Sequence, residues 1–521
     1  MRNKKLLLGI DIGTSIIKST MLDLDGNELY SSTREAIVFH PKPSWAEQDM
    51  TLVWEAVVST VSEIMEVLQL KPVDILALGI TGQGDGTWLI DTNNCPIYPA
   101  ILWSDGRAID YVVSLEKDGL AKEIFNITGT APNCSNQGLQ LKWLVDHEPE
   151  IIHKAKAALR AKDWIFLCMT GIVSTDESDA SHTYFDIVKR EYDERILEII
   201  GIRTLQRLIP PAFPSYQNVG KLLPDIANRI GILSGTPVVS GPFDVAASTL
   251  GMGIIQPGEA SSILGTAGIN QLVLQEPSFN PQYVGYNICH ALSNRWIRLL
   301  PTMACTSNLE WFINEFFHNE ITNWKNEGKN KWLMLENYAS EIPIGSFGVM
   351  YHPYINPSGE RSPFIHPGAR AQFIGLNSNH NRKIMLRAVY EGIVLSALDC
   401  FSYLMPDVSS LKLGGGGSQS ELLAQMFSDA FGCSISIMDG KEFGAKGAAI
   451  NAGVAIGFFR DFPEAVNKMV HSSKIYFPDL NRTTIYKNLL SMYQKIYRIM
   501  IPVWDQRQYY SSNIYDRGFV Q

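Results

Sequence analysis

The chain lacks any uninterrupted apolar run approaching the ~20 residues of a bilayer span, which argues against a membrane protein. Its seven cysteines (Cys95, Cys134, Cys168, Cys289, Cys305, Cys400 and Cys433) are odd in number, scattered and without a C-x-x-C pair. They read as reduced thiols of a cytoplasmic protein, each also serviceable as a small buried hydrophobe, and not as a disulfide or zinc framework. Basic charge is scarce: 44 Lys and Arg stand against 53 Asp and Glu, a net charge of −9, which excludes non-specific nucleic-acid binding. Absent too are G-x-x-x-x-G-K-[ST], G-x-G-x-x-G with a following acidic residue, H-E-x-x-H and G-x-S-x-G, so P-loop, dinucleotide, zinc-hydrolase and acyl-enzyme chemistries have no support. The opening MRNKK runs straight into a strand pattern, unlike a signal peptide.

What remains is a chain of 521 residues, 45% hydrophobic and 19% charged, too long for one core and expected to form two large domains. The organising stretch is Lys5 to Gly26, KLLLGIDIGTSIIKSTMLDLDG. Two apolar runs flank a Gly13-Thr14 tip, a β-hairpin pattern with Asp11 near the end of its first strand. A carboxylate buried there needs a cation or hydrogen bonds, and the following backbone N–H groups and hydroxyls suit a metal-bound polyphosphate. Taken alone, the same residues also fit an ordinary hairpin with an Asx-type turn.

Downstream, strand-like and helix-like segments alternate as in an α/β fold. Trp54 to Leu68 has helical spacing, and Ile75 to Ile80 is a buried strand running into the glycine-rich TGQGDGTW, Thr81 to Trp88. A glycine-rich loop off a strand end is a common ligand site. Leu139 to Gly171 reads as mainly helical, and the polar Ser174 to Thr183, STDESDASHT, reads as a solvated loop. Thr236 to Ser240 is a strand leading into GPFDVAAS, which puts Asp244 at a helix start where the anion is favoured. Glu259 to Leu274 repeats the opening architecture about a Gly265-Thr266 tip, suggesting duplicated domains with a nucleotide between them. Ile384 to Leu404, carrying Arg387 and Glu391, is an apolar helix. Leu411 to Leu413 lead into Gly414 to Gly417 and then a helix, so the glycines are read as a loop approaching a flat ligand sooner than as a linker. Glu442 to Gly453 is a small-residue helix start suited to close packing, and the chain after about Pro463 reads as a surface helix with a Tyr-rich end.

These landmarks resemble the FGGY carbohydrate kinases of the actin, hexokinase and Hsp70 superfamily, from about Leu6 to about Phe459: GIDIGTS at Gly9, SWAEQD at Ser44, TGQGDG at Thr81, LWSDGRA at Leu102, GPFDVAAS around Asp244, LGTAG at Leu264, SGERSP at Ser358, RAVYEGI at Arg387 and LGGGGSQSELLAQMFSD from Leu413. The resemblance implies an α/β fold of two ribonuclease-H-like domains, 1–253 and 257–460, with an ATP and sugar cleft between them and a helical tail over 461–521. It implies ATP and Mg²⁺ as cofactors, with Asp11 at the metal and Thr14, Ser15 and Lys18 at the phosphates. Gly265 and Thr266 would bind phosphates from the second domain, Gly415, Gly416 and Gly417 would carry the adenosine with Ser420 as a polar contact, and Asp244 would be the base. Homodimers are common among relatives, and for this chain a homodimer rests on that analogy alone, not on the sequence itself.

For the acceptor, the loop that reads Gln-Arg-Glu in glycerol kinases and Gln-Met-His in D-xylulose kinases is Gln83-Gly84-Asp85 here. Gly84 would leave room, Asp85 would accept from paired hydroxyls, and Trp103 would form an apolar wall. A small neutral sugar is therefore expected, a ketopentose such as L-xylulose ahead of a four- or five-carbon polyol such as erythritol, with a phosphorylated or acidic substrate disfavoured. Trp45 and Glu47 are read either as cleft lining or as loop packing. An inactive sugar- or nucleotide-binding regulator would have lost Asp11, Asp244 or a phosphate hairpin, and all are present.

Overall fold

A computed structural model describes residues 4–404, 408 and 410–515. The sequence expectations for the first three residues and for 516–521 of the tail lie outside the described residues.

Two sheets dominate. The first orders its strands as β3 (Glu28–Glu35), β2 (Ile16–Leu22), β1 (Leu6–Ile12), β4 (Ile75–Gly82), β6 (Pro237–Ser240) and β5 (Val219–Lys221). The second contains β9 (Tyr286–Cys289), β10 (Trp296–Thr302), β8 (Gly268–Leu274), β7 (Glu259–Leu264), β11 (Ser410–Gly414), β12 (Ser434–Met438) and β13 (Ser472–Tyr476) in that order. In each, an antiparallel set joins through its first strand to two further strands parallel to it; in the first the set is the meander β1–β2–β3, and in the second β8 pairs with β10, leaving β9 at the edge. The duplicated hairpins of the sequence are thus duplicated sheets, and both place the carboxyl ends of their parallel strands where ligands are held.

Helix α1 (Met50–Val67) begins where Asp49 accepts the Thr51 and Leu52 N–H groups, and its Val53, Val57, Val61 and Ile64 stripe is buried. The segment Ser174 to Thr183 is not a solvated loop. Its last seven residues form helix α2 (Glu177–Thr183), buried almost throughout. Lys162 lies 2.6–3.1 Å from Asp163, Asp176 and Asp179, and Arg160 flanks Asp179, so a run that is polar in composition is neutralised by two buried cations from the preceding helix. The tail also differs from expectation. Residues 472–476 pair with β12, and Tyr486, Tyr493, Tyr497 and Trp504 of the final helix are buried in the second core. No helix among the described residues is long and apolar enough to cross a membrane.

Helices α3 (Asp244–Gly251) and α7 (Phe443–Ala455) join the halves. Between them lie α4 (Thr306–Phe316), α5 (Arg382–Leu404) and α6 (Glu421–Phe431). Although α7 follows β12 of the second sheet, it lies on the first: a Cβ on Gly9 would meet the Ala445 carbonyl at 2.0 Å, one on Gly79 the Ala448 carbonyl at 2.0 Å, and one on Gly447 the Ala247 carbonyl at 1.8 Å. These contacts are backbone on backbone, which only glycine permits.

Candidate active site

Asp11 ends β1 opposite Lys18 of β2 and beside Thr81 of β4. Its Oδ1 is buried without a hydrogen-bond partner, and Oδ2 occupies the space a Cβ on Gly444 would need, with the Ser248 hydroxyl bordering the same point. Burial pushes the Asp11 carboxyl up to about 6, with Lys18 acting against it and Glu442 with it. An orphaned carboxylate oxygen held this way fits a cation. Lys18 Nζ meanwhile pairs with Glu442 at 2.8 Å, across the two halves.

Asp244 opens α3 just beyond β6, held to β4 by the Gly241 N–H to Ile80 carbonyl bond and to Ser178, whose hydroxyl accepts the Phe243 N–H at 3.0 Å. Ser248, one turn on, places this face of α3 beside Asp11. Burial first, then the charge of Asp11, raise the Asp244 carboxyl to about 8, against the 2.6 Å bond from the Val245 N–H. The helix start therefore fails to hold Asp244 as an ordinary anion: desolvation and like charge outweigh one N–H. A carboxyl poised near neutrality beside a cation site is suited to taking up a hydroxyl proton.

The first phosphate tip is coupled to the sugar loop. The Thr14 hydroxyl donates to Gln83 Oε1 at 2.9 Å and accepts from Trp103 Nε1 at 2.8 Å, while Gln83 Nε2 donates to Gln48 Oε1 and Gln48 in turn reaches the Thr14 carbonyl. Gln83 is thus spent on protein partners, and Trp103, 44% exposed, is oriented by its N–H. Ser15 at the tip is exposed. Gly84 leaves no vacancy, because a Cβ there would strike the Phe243 ring at 2.6 Å. Asp85 adopts φ +58° and is buried. Against burial, the charge and contact of His182 Nδ1 at 2.7 Å and the Ser135 hydroxyl at 2.5 Å hold its carboxyl below the usual range. The open acceptor expected at Asp85 is therefore not open: Oδ2 accepts from Ser135, and Oδ1 faces His182 Nδ1 at 2.7 Å, a close ion-pair contact without hydrogen-bond alignment, with His182 singled out by no sequence signal. Glu47 and Trp45 pack the loop: Glu47 pairs with buried Arg107 at 2.6 Å, and the Trp45 ring lies 3.8 Å under the Arg107 guanidinium.

In the second half, the Gly265 and Thr266 carbonyls accept N–H and hydroxyl groups from Cys305, Thr306 and Ser307 at the start of α4, leaving the Thr266 side chain exposed. Gly415 takes φ +79°, and a Cβ on it would meet the Leu264 backbone at 2.9 Å, so the glycine loop lies directly on the second tip. Gly417 is as tight against Leu264 and Thr306, while Gly416 faces open space. Ser420 caps α6 by accepting the Leu423 N–H at 3.1 Å. Arg387 and Glu391 are structural, Glu391 gripping the Gly345 N–H and the Ser346 hydroxyl.

Asp11 and Asp244 lie together where the two halves meet, each half carries its own hairpin tip, and the matches to known proteins agree with this arrangement. Residues 6–251 match the N-terminal domain and residues 260–456 the C-terminal domain of the FGGY family of carbohydrate kinases. The chain belongs to that family. It is 30% identical to an erythritol kinase of Brucella abortus over 97% of this chain and 98% of the relative, and 30% identical to a xylulose kinase of Escherichia coli over 96% and 100%. Its fold matches the crystal structure of a ligand-bound xylulose kinase from Lactobacillus acidophilus with a TM-score of 0.86 at 23% identity, covering 96% of this chain and 99% of that one. This FGGY chain is an ATP-dependent carbohydrate kinase of two actin/hexokinase-like halves.

Proposed function

We propose that the protein transfers the γ-phosphoryl group of ATP to a hydroxyl of a small, neutral, open-chain sugar or polyol of four or five carbons, a ketopentose such as xylulose or a polyol such as erythritol. The observation that carries this is the Asp11–Asp244 arrangement: an orphaned carboxylate at one hairpin and a second carboxyl, raised to about 8, at the helix start beside it. The names of the similar kinases support the acceptor class. The carboxyls of Asp11 and Asp244, each raising the other's cost of ionisation, disfavour an acidic acceptor beside Asp244.

Asp244 takes the proton of the attacking hydroxyl as its oxygen bonds to the γ-phosphorus and the bond to the ADP oxygen breaks. Asp11 holds Mg²⁺, which when bound supplies positive charge to the phosphates. Thr14, Ser15 and Lys18 face those phosphates from the first half, Gly265 and Thr266 from the second. For Lys18 this means exchanging Glu442 for phosphate. Gly415, Gly416 and Gly417 carry the adenosine, with Ser420 at its edge. Trp103 shields the acceptor side from water, which would otherwise compete for the phosphoryl group. The working division is 1–253 and 257–460, with the tail after 460 built into the second half through residues 472–476 and the final helix, and the setting is cytoplasmic, consistent with seven unpaired cysteines.

The test is ADP release from Mg-ATP against ketopentoses, tetritols, pentitols, glycerol and gluconate, with Asp244→Asn as the blank. A neutral acceptor active only with the wild-type chain is the expected outcome. Turnover of gluconate alone, or equal turnover by the blank, would overturn the reading.

A further inference from the structure

None of the side chains that the sugar loop itself supplies is left free for an acceptor. Gln83 is used at both ends, Gly84 is covered by Phe243, and both Asp85 oxygens meet protein groups. His182 comes from α2, is held through Nδ1 by Asp85 at 2.7 Å, and stacks on Tyr286 of β9 with ring centroids 4.9 Å apart and planes at 21°. Its other neighbour is the ring of Phe243, at 5.9 Å, the residue immediately before Asp244. The imidazole is therefore clamped by one carboxylate and two aromatic rings, one from each half of the chain, and keeps 11% of its side-chain surface accessible. No described residue takes its Nε2. Ser178 and Ser181, on the same short helix, bond the Phe243 N–H and the Cys289 N–H, so α2 is pinned both to the base-bearing segment and to the second sheet.

We propose that His182 is the acceptor-reading residue of this enzyme, its Nε2 hydrogen-bonding a substrate hydroxyl, with Asp85, Tyr286 and Phe243 as the positioning residues that fix the ring. This rests on the sugar-kinase reading of the cleft and names the group that reads the sugar. With Nδ1 facing the Asp85 carboxylate at 2.7 Å and bearing its proton on that side, a neutral ring presents an acceptor at Nε2 and a charged ring a donor. A hydroxyl satisfies either form, whereas a carbonyl satisfies only the charged one and a carboxylate would face Asp85 and Asp244. The side chain therefore selects hydroxyl-bearing carbon chains. A site built to bond a hydroxyl also discriminates strongly against the analogue that lacks it.

The experiment compares wild type, His182→Ala and His182→Gln with the best neutral acceptor from the panel and with its single-deoxy analogues. The readouts are kcat and KM for acceptor and for Mg-ATP, with ADP binding and the thermal midpoint recording whether each variant is folded. Expected for His182→Ala is a loss of about 10- to 100-fold in kcat/KM for the acceptor, set by one hydrogen bond, with the KM for Mg-ATP unchanged and partial recovery in His182→Gln. One deoxy analogue should be as poor with wild type as the full acceptor is with His182→Ala, and no poorer with the variant. If wild type turns over an acceptor while folded His182→Ala keeps its kcat/KM within twofold, or if every deoxy analogue suffers equally from the substitution, the assignment to His182 is overturned. If wild type phosphorylates no neutral acceptor, the function proposed above falls and this assignment with it.

Discussion

The two phosphate hairpins have the same outline and different contents. Aligned at their Gly-Thr tips, Asp11 of the first corresponds to Ile263 of the second, and Lys18 to Asn270. Lys18 reaches across the cleft to Glu442, whereas Asn270 is buried and bonds Ser262 and the Leu300 carbonyl. Thr14 is tied by side chains to Gln83 and Trp103, while the second tip is tied by its carbonyls to the start of α4 and leaves Thr266 free. Duplication thus preserved a backbone shape that can cradle phosphate, and only one copy carries the charge for a cation and the wiring to the sugar loop. The second copy instead supports the glycine loop at Gly415.

Substitutions can break this comparison, and the largest effects belong to the first half. Asp244→Asn should lower acceptor-dependent kcat by about 10³-fold with ADP binding retained, and Asp11→Ala should do comparable damage to Mg-ATP turnover. Ile263→Ala, at the matching place in the second hairpin, should cost less than tenfold in steady-state assays. An equal loss there would mean that the hairpins are chemically equivalent. Next, Thr14→Ala should raise KM for both acceptor and ATP by about tenfold, since its hydroxyl joins two sites, while Thr266→Ala should raise KM for ATP alone.

The pH profile sharpens the same contrast. Asp244 must be ionised to act as base and its carboxyl is raised to about 8, so kcat/KM for the acceptor should fall roughly tenfold per unit as pH drops below about 8. Variants in 260–274, which hold no titratable side chain, should leave that profile in place. The smallest effect is on stability. A carboxyl whose folded value lies above its unfolded one stabilises at low pH and loses that contribution as pH rises through about 8. Because the loss begins as the unfolded carboxyl ionises at about pH 4 and is complete at about pH 8, Asp244→Asn should raise the thermal midpoint by a few degrees at pH 9 and by progressively less down to pH 4, as measured by calorimetry.

The backbone of the candidate site is legible in the amino-acid string because glycine and aspartate cluster at strand ends and turns, but taken alone they fit an ordinary Asx-type hairpin as well. Asp11, Gly13, Asp244 and the Gly414 to Gly417 run announce strand ends and tight backbone approach without reference to the rest of the chain. The failures have a common cause, in that local polarity says nothing about distant partners. Ser174 to Thr183 reads as loop because Arg160 and Lys162, which neutralise it, belong to another helix. Gly84 reads as open space because the ring that fills it comes from Phe243. His182 carries no signal at all until Asp85 is placed beside it.

The seating of α7 on the first sheet also bears on how the chain is made. Gly9 and Gly79 wait for the carbonyls of Ala445 and Ala448, so one face of the first sheet cannot be covered until almost the whole polypeptide has left the ribosome. Contacts of that sequence separation slow folding and leave the early half exposed to aggregation while synthesis proceeds at ~5–20 residues per second. A fragment ending before α7 is therefore expected to be a client for chaperones, even though it contains a complete β-sheet of its own.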